Sequence, residues 1–328
     1  MKLSRKILAL CAFIAGAGWA AVSLAAEPLP PNADQPPFND KTCTRCHDEG
    51  EVKPIWSLYQ SKMGVRADPH APNCQSCHGG SRRHLYGDVG INSKLSPDVV
   101  FGTRLMPDSF PPSPVEKQNA SCLACHKKDA NRSQWEGSTH QSRGLACPSC
   151  HEIHALKDRV RDKRTQPEVC FNCHKDKRGQ INRPSHHPIP EGKMACSDCH
   201  NPHGSAGPKL MKRDTINDTC YTCHMEKRGP FVHNHEPVND DCTICHNPHG
   251  TTAESMLKTR PPFLCQTCHK PHGAVQPLLA GQVPPPNSVT YGSGSAITQG
   301  RACLNCHTLV HGSNNPGLAP ANGQFFFR

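Results

Sequence analysis

Residues 170–250 decide the fold of this chain, because they hold four copies of the pattern Cys-x-x-Cys-His: CFNCH at 170–174, CSDCH at 196–200, CYTCH at 220–224 and CTICH at 242–246. The surroundings of the pattern repeat as well, and the pentapeptide HNPHG occurs at 200–204 and again at 246–250. A unit that carries two such motifs has been copied with a period of about fifty residues, which is typical of a repeat architecture.

The same motif occurs six more times in the rest of the 328-residue chain, and the ten copies use 20 of its 21 cysteines. The paired cysteines are Cys43, Cys46, Cys74, Cys77, Cys122, Cys125, Cys147, Cys150, Cys170, Cys173, Cys196, Cys199, Cys220, Cys223, Cys242, Cys245, Cys265, Cys268, Cys303 and Cys306. The histidines that complete the motifs are His47, His78, His126, His151, His174, His200, His224, His246, His269 and His307.

Cys-x-x-Cys-His is the attachment pattern of c-type haem. Its two thiols can bond to the two vinyl groups on one porphyrin edge, and the adjacent histidine then supplies an axial nitrogen to the iron. Cysteines at i and i+3 with histidine at i+4 share one face of a helical turn, so we expect a short helix at each motif. Zinc sites and disulfides also use paired cysteines, but neither explains ten histidines in this position. The sequence predicts ten covalently bound haem c groups.

Twelve histidines lie outside the motifs, which is enough to give every iron a second axial ligand. The motifs pair into five modules that begin near residues 43, 122, 170, 220 and 265, with one such histidine between the two motifs and another after the second. The expected second ligands are His70, His84, His140, His154, His203, His249, His272 and His311, together with one of His186 and His187 and one of His233 and His235.

The short distance along the chain between some of these histidines adds a constraint. His154 follows His151 by three residues, and three residues span about 10 Å at most, too little to pass round a porphyrin edge to its opposite face. We therefore expect His154, and likewise the three histidines His203, His249 and His272, to bind the iron of a different haem and so to join neighbouring haems.

Residues 1–26 are predicted to be a secretory signal peptide, with a basic start, an apolar run and a small-residue cleavage site. The alternative is an uncleaved anchor, which the short apolar run disfavours. A proline-rich N-terminal linker is expected at 27–42 and a decahaem domain at 43–328. We expect an exported, periplasmic protein, with Cys11 lost in the leader.

The composition provides few apolar side chains for an ordinary hydrophobic core, since 35% of the residues are hydrophobic and 5% aromatic. The fold class that we predict is a multihaem cytochrome c: short helices and loops around an elongated chain of ten haems, with little or no sheet. The gaps 84–122 and 272–303 show no helical or alternating pattern.

The formal net charge of +10 includes three positive leader residues, which leaves +7 for the expected mature chain. Haem propionates are the better partners for these charges, and an exported protein is not expected to bind nucleic acid. Basic residues follow the motifs closely, namely Arg159, Arg161, Lys163, Arg164, Lys175, Lys177, Arg178, Lys227 and Arg228.

The ligand type favours an electron carrier over an enzyme. A haem enzyme that binds substrate at iron needs an open axial position, whereas histidines here are numerous enough to close every site. Six methionines of the mature chain could also be ligands, but they are not needed. We expect electron transfer and no catalysis.

The chain resembles the periplasmic decahaem cytochromes of outer-membrane porin–cytochrome conduits, the Mtr/Mto/Pio group with a relative from dimethyl-sulfoxide respiration. The resemblance covers nearly all of the mature chain. Besides the ten motifs it rests on the two HNPHG stretches, NDTCY at 217–221, EKRGP at 226–230, MLKTR at 256–260, CLNCH at 303–307 and VHGSN at 310–314. The contexts Ser-His-Pro and His-x-Pro-Val resemble those of family ligands and favour His187 and His235 within the doublets.

The resemblance implies a row of bis-histidine haems inside an outer-membrane β-barrel porin. Such a row would link periplasmic or inner-membrane cytochromes to an extracellular multihaem cytochrome, a metal oxide mineral or Fe(III)/Fe(II). A polar, loop-rich chain cannot cross hydrocarbon unaided, and a closed barrel with a polar lumen would shield it. The alternatives are a soluble periplasmic multihaem electron shuttle and a multihaem reductase.

Overall fold

The computed structural model describes residues 40–50, 54–61, 63–65, 68, 70–87, 95–105, 109–269, 303–304 and 307–314. The predicted leader, residues 27–39 of the predicted linker, Cys306 and His272 lie outside these residues. The end of the predicted linker, residues 40–42, is the start of a 3-10 helix, Asp40–Arg45.

Short helices joined by loops make up the described chain, as the motif spacing predicted. The α-helices are α1 Ser57–Gln60, α2 Cys74–His78, α3 Arg82–Tyr86, α4 Val115–His126, α5 Thr139–Ser142, α6 Gln166–Phe171, α7 Lys175–Ile181, α8 Cys196–Cys199, α9 Ile216–Tyr221, α10 Glu236–Asp240 and α11 Phe263–Gln266. Further 3-10 helices are Ala130–Arg132, Cys147–Ser149, Arg159–Arg161, Pro208–Leu210, Met225–Lys227, Cys242–Ile244 and Glu254–Met256. Pairing between extended segments in the described residues is limited to isolated bridges such as His233 with Ser313.

Each motif closes one helical turn on itself. In eight motifs the histidine N–H donates to the carbonyl of the first cysteine at 2.8–3.1 Å, which is the i to i+4 bond of an α-helix. The remaining two motifs lie within α2 and at the end of α4. This bond places both thiols and the imidazole of a motif on the same turn, as haem attachment requires.

The longest helix in the described residues, α4, corrects one expectation. It begins at Val115, seven residues before Cys122, so the gap 84–122 does contain regular helix. The buried residues of α4 are the polar Gln118, Asn119 and Ser121. A search for hydrophobic periodicity could not find this helix because its buried face carries no apolar stripe.

The interior of the described protein is more polar than that of an ordinary globular domain. The buried hydrophobic residues are few and scattered from Leu58 to Ala253, and buried polar residues outnumber them. Side-chain burial alone therefore supplies little of the stabilisation expected for a chain of this length. This agrees with a core built largely from prosthetic groups.

A buried amide side chain holds the two motifs of a module together. Asn217 lies three residues before Cys220 and is 6% exposed. Its Oδ1 accepts a hydrogen bond from the N–H of Cys242, the first cysteine of the next motif, at 2.7 Å. Its Nδ2 donates to the carbonyls of Val238 and Asn239, both at 2.9 Å.

The same polar clasp recurs in three other modules. The equivalent bonds run from Cys147 N–H to Asn119 Oδ1 at 2.8 Å, from Cys74 N–H to Asp40 Oδ1 at 3.1 Å, and from Ser197 N–H to Gln166 Oε1 at 2.9 Å. The clasp satisfies a backbone donor at the start of the second motif, which would otherwise be costly to bury. It sets the distance between two motifs without an apolar contact.

The repeated HNPHG pentapeptide packs against the preceding module. The glycines Gly204 and Gly250 have φ of 116° and 129°, and a Cβ there would lie 2.0 Å from Gln134 O and 2.3 Å from Gln180 O respectively. Only glycine allows such a close backbone approach in this conformation. The pentapeptide thus carries its second histidine to a neighbouring module.

None of the helices in the described ranges has both the length and the hydropathy that crossing a membrane would require.

Replacing Asn217 with Ala should lower the stability of the holoprotein by about 1–3 kcal/mol, because a buried N–H and two carbonyls lose their partner. Urea denaturation followed by circular dichroism measures this change. The exposed Asn172, which lies inside a motif, provides the matched control. Equal midpoints for N217A and N172A would contradict a structural role for the clasp.

Candidate haem-binding site

The described histidines form eight separate imidazole pairs. Each pair joins one histidine of a motif to one histidine outside the motifs, and the ring centroids are 6.0–6.3 Å apart. The pairs are His47–His84, His78–His154, His151–His203, His174–His140, His200–His249, His224–His187, His246–His311 and His269–His235. Every member is one of the histidines that the sequence analysis selected.

The separation within a pair fits a shared iron. Metal–imidazole bonds of about 2 Å on both sides of one ion, with each nitrogen roughly 1 Å from its ring centre, place the two ring centres about 6 Å apart. Direct stacking of two imidazoles would bring the rings closer than this. The donor sets therefore fit bis-histidine haem, and the motif cysteines lie on the same helical turns.

Hydrogen bonds from Nδ1 to backbone carbonyls orient seven of these sixteen rings. A backbone carbonyl can only accept, so an Nδ1 that faces one carries the proton and leaves the Nε2 lone pair for iron. Such bonds join His78 to Val99, His84 to Leu95, His140 to Pro202, His187 to Pro248, His200 to Lys209, His235 to Val310 and His246 to Ser255, at 2.6–3.1 Å. Outer partners of this kind fix ligand orientation at metal sites.

Burial keeps several of these imidazoles neutral. Desolvation lowers the pKa of His203 to about 4, and it lowers the pKa of His249 to about 4 as well. The pKa of His78 and that of His311 are also lowered, chiefly by burial. Iron binds the neutral form of histidine, so these rings are ready to ligate at neutral pH.

The pairs follow a simple rule along the chain. A histidine between two motifs meets the first motif of the next module, as His140 meets His174. A histidine after the second motif meets the second motif of the preceding module, as His203 meets His151. Seven pairs connect neighbouring predicted modules in this way, and His47–His84 joins two parts of the first one.

The histidine doublets occupy different environments. His187 lies against His224, whereas the neighbouring His186 uses Nδ1 for the Arg183 carbonyl and Nε2 for Glu191 at 3.3 Å. The Arg183 bond and the Glu191 carboxylate raise the pKa of His186, which favours its protonated form over an iron ligand. The geometry favours His187.

The second doublet shows the same difference between its two histidines. His235 lies 6.0 Å from His269, and its Nδ1 donates to the Val310 carbonyl. The backbone of His233 forms an antiparallel bridge with Ser313. The bridge aligns the two segments so that His235 reaches its partners, which favours His235 as the ligand.

Two motif histidines lie outside the eight pairs. His126 contacts the guanidinium of Arg132 at 3.3 Å. His70, an expected ligand, is 92% exposed in its side chain and faces Asp68 at 3.2 Å. His307 has its motif turn, with its N–H bonded to the Cys303 carbonyl at 2.8 Å, while the expected ligand His272 lies outside the described residues.

Cysteines of consecutive motifs lie near each other, and the first and second cysteines alternate in these contacts along the chain. Within the predicted modules the first cysteines of the two motifs lie near enough to influence each other's pKa, in the pairs Cys43–Cys74, Cys122–Cys147, Cys170–Cys196, Cys220–Cys242 and Cys265–Cys303. Between modules the second cysteines interact electrostatically, in the pairs Cys77–Cys125, Cys150–Cys173, Cys199–Cys223 and Cys245–Cys268. Consecutive motifs are therefore neighbours in space along the described chain.

Sequence reasoning missed several side chains that support the ligands. Phe101 and Phe110 pack edge-on against His78 and His84, and Trp135 packs against His203. Asp158 accepts a hydrogen bond from Nδ1 of His151 at 2.6 Å. Burial opposes ionisation of Asp158, but hydrogen bonds from His151 and from two backbone amides outweigh it and lower the pKa of the carboxyl. No spacing relative to a motif marks these positions in advance.

Two family models match parts of the chain. The model described as "Doubled CXXCH motif" matches residues 186–229 and 235–282. The model described as "Cytochrome c-type protein NrfB-like" matches residues 74–165. Each match to the doubled motif spans the second motif of one predicted module and the first motif of the next, so it straddles the boundary crossed by the imidazole pairs.

Characterised multihaem proteins are similar to the chain over most of its length. The multihaem cytochrome MtrA of Shewanella baltica is 39% identical over 85% of this chain and 80% of its own. The cytochrome c-type protein NrfB of Haemophilus influenzae is 28% identical over 52% of this chain and 82% of its own. NrfB of Escherichia coli O6:H1 is 24% identical over 56% of this chain and 93% of its own.

Replacing His187 with Ala should leave one iron with a single imidazole and convert that haem from low spin to high spin. Electron paramagnetic resonance of the oxidised holoprotein measures this change. The adjacent H186A variant is the matched control and should keep the all-low-spin spectrum. A high-spin signal in H186A but not in H187A would reverse the assignment.

Proposed function

The chain belongs to the family of periplasmic Mtr-type multihaem c-type cytochromes, and on that premise we propose that it carries electrons across the outer membrane through ten bis-histidine haems. The observation that carries the proposal is the set of eight imidazole pairs, each of which joins a motif histidine to a histidine of the predicted second set. Haem binding by Cys-x-x-Cys-His motifs and electron transfer are the activities that membership in the family carries.

The proposed attachment residues are the twenty motif cysteines, and the proposed iron ligands are the ten motif histidines and ten further histidines. The rule that relates pairs to modules extends to the two motif histidines outside the described pairs. By that rule His70, which lies between the first two motifs, would serve His126 in the next module. His272 would then complete the site of His307 at the end of the chain.

The two imidazoles proposed for each iron support the function of an electron carrier. Haem c held by such a pair of imidazoles would supply a one-electron redox centre. The residues of the chain hold the two imidazoles in place, close each iron against substrate and keep successive sites adjacent. We propose no catalytic residue and no enzyme activity.

The cysteine contacts support transfer in sequence order. First cysteines meet within a module and second cysteines interact between modules, so each site has its sequence neighbours as spatial neighbours. Close spacing of successive centres is what electron hopping over a long distance needs. We propose that the decahaem domain, residues 43–328, is an elongated row of five two-haem modules.

The proposed setting is the lumen of an outer-membrane β-barrel porin. Polar side chains fill much of the described interior, and such a chain needs a barrel wall between itself and the lipid. The proposed electron partners are periplasmic or inner-membrane cytochromes on one side and an extracellular multihaem cytochrome, a mineral or dissolved iron on the other. Export by the predicted signal peptide would deliver the chain to the periplasm.

A second candidate function is a periplasmic electron shuttle that works without a barrel. The match of residues 74–165 to the NrfB-like model favours it, and this match spans three of the ten motifs. A shuttle would appear in the periplasmic fraction and not with the outer membrane. A multihaem reductase would need an iron with an open axial position.

Replacing His70 with Ala tests the extended ligand rule. The variant should show one high-spin haem in the oxidised protein, because His126 would lose its proposed partner. Magnetic circular dichroism at room temperature quantifies the high-spin fraction. Replacement of His233, an extra histidine, by Ala serves as the control and should leave all haems low spin. An unchanged spectrum for H70A would remove His70 from the ligand set.

Reconstitution tests the conduit itself. Holoprotein and its porin are inserted into liposomes that contain a redox dye, and an external reductant that cannot cross the bilayer is added. Dye reduction should require both proteins, and liposomes with porin alone are the control. Absence of dye reduction with both proteins present, together with recovery of the cytochrome in the periplasmic fraction, would favour the shuttle.

A further inference from the structure

His151 differs from seven other imidazoles of the described pairs in the group that accepts its Nδ1 hydrogen bond. A second carboxylate, that of Glu226, lies 3.7 Å from Nδ1 of His224, beyond hydrogen-bond distance. The Nδ1–H of His151 donates to the carboxylate of Asp158 at 2.6 Å, whereas seven other imidazoles of the pairs donate to backbone carbonyls. The Asp158 side chain is 15% exposed and that of His151 is 29% exposed. The bond is therefore shielded from most solvent.

In the third and fourth modules, backbone carbonyls occupy the place that the Asp158 carboxylate has in the second module. His200 donates through Nδ1 to the carbonyl of Lys209, and the N–H of the next residue, Asn201, donates to the carbonyl of Leu210 at 2.7 Å. In the following module, His246 and the residue after it bond in the same way to the carbonyls of residues 255 and 256. In each of these modules, two adjacent carbonyls thus accept hydrogen bonds from the histidine Nδ1–H and from the N–H of the next residue.

In the second module a single side chain does both tasks. Asp158 Oδ2 accepts from His151 Nδ1–H, and its Oδ1 accepts from the N–H of Glu152 at 3.3 Å. Oδ1 also accepts from the N–H of Val160 at 3.4 Å. These bonds fix the carboxylate in position, so a full negative charge stands where the equivalent sites have neutral dipoles.

The chemical consequence concerns the electron density on the ligand. A hydrogen bond to a carboxylate is shorter and stronger than one to a carbonyl, and it draws the Nδ1 proton away from the ring. The ring then becomes a stronger donor at Nε2, which stabilises the more positive oxidation state of a bound metal. Hydrogen bonding outside the axial ligand is one of the levers that set haem potentials.

Charges on the opposite side of the pair act against this effect. Arg132 lies near His203, where its positive charge helps to lower the pKa of that imidazole. The guanidinium is itself ion-paired with Asp129, so its charge is largely offset. The Asp158 carboxylate is hydrogen-bonded directly to the His151 ring. It therefore has the stronger influence on the electron density of that ligand.

We propose that Asp158 is a positioning residue that lowers the reduction potential of the haem held between His151 and His203. This inference rests on the proposed ligand pair and not on the proposed membrane crossing. It gives the proposed row of centres a low-potential position at the junction of the second and third modules. Three of the equivalent positions, at His78, His200 and His246, have carbonyl acceptors and lack this feature.

The test compares D158N holoprotein with the wild type in a potentiometric titration followed by electron paramagnetic resonance. Asparagine keeps an oxygen that can accept the Nδ1–H bond but removes the charge. The proposal expects one low-spin signal to titrate at a higher potential in D158N. The D158E variant, which restores the carboxylate, should move that signal back toward the wild-type value.

A control variant separates the effect of the direct hydrogen bond from a general effect of charge. D176N removes an exposed carboxylate that pairs with Lys177 and lies two residues after a motif histidine. Its titration should match the wild type. Equal shifts in D158N and D176N, or no shift in D158N with ten haems retained, would overturn the proposal.

A measurement on the wild type covers the case in which D158N loses haem. Near-infrared magnetic circular dichroism reports the ligand-to-iron charge-transfer band, which moves to shorter wavelength as an imidazole ligand gains anionic character. The proposal expects one component of the band to be displaced in the wild type. A band with a single position for every bis-histidine haem would overturn the proposal without any variant.

Discussion

The structure depends on the exchange of imidazoles between neighbouring modules. Seven of the eight described pairs take their two rings from different modules, so an iron between the rings would tie two stretches of chain together. The few buried apolar side chains among the described residues do not form a hydrophobic core that could do this. Each module therefore completes its sites only in the presence of its neighbours, as in other repeat proteins whose units stabilise one another.

A second set of polar contacts works within the modules. Asn119 and Asn217 bind the backbone of the following motif through buried hydrogen bonds, and such bonds are directional where apolar packing is not. The direction matters because it brings the first cysteines of the two motifs near each other. The clasp and the imidazole exchange thus have separate tasks: the clasp sets the spacing inside a module, and the exchange sets the spacing between modules.

The sequence predicted the parts of this architecture that follow from local chemistry. The spacing of Cys170, Cys173 and His174 requires a helical turn, and that turn is present. The short reach from His151 to His154 implied a different haem for His154, and the structure places His154 beside His78. Which module each histidine serves could not be predicted, because that depends on how loops return through space. The helix α4 left no periodic signal because its buried face is polar. The contact of Asp158 with His151 depends on the path of the loop between them, which the sequence pattern does not show.

The direction of imidazole exchange has a consequence for how such a chain can change in length. A module inserted between two existing ones would receive one histidine from each neighbour and give one to each, so every site in the enlarged chain would remain complete. Addition of a single motif would instead leave one imidazole without a counterpart. Gene duplication of an internal two-motif unit is thus the one simple route to a longer row of sites. The two identical pentapeptides at 200–204 and 246–250 are the expected trace of such an event.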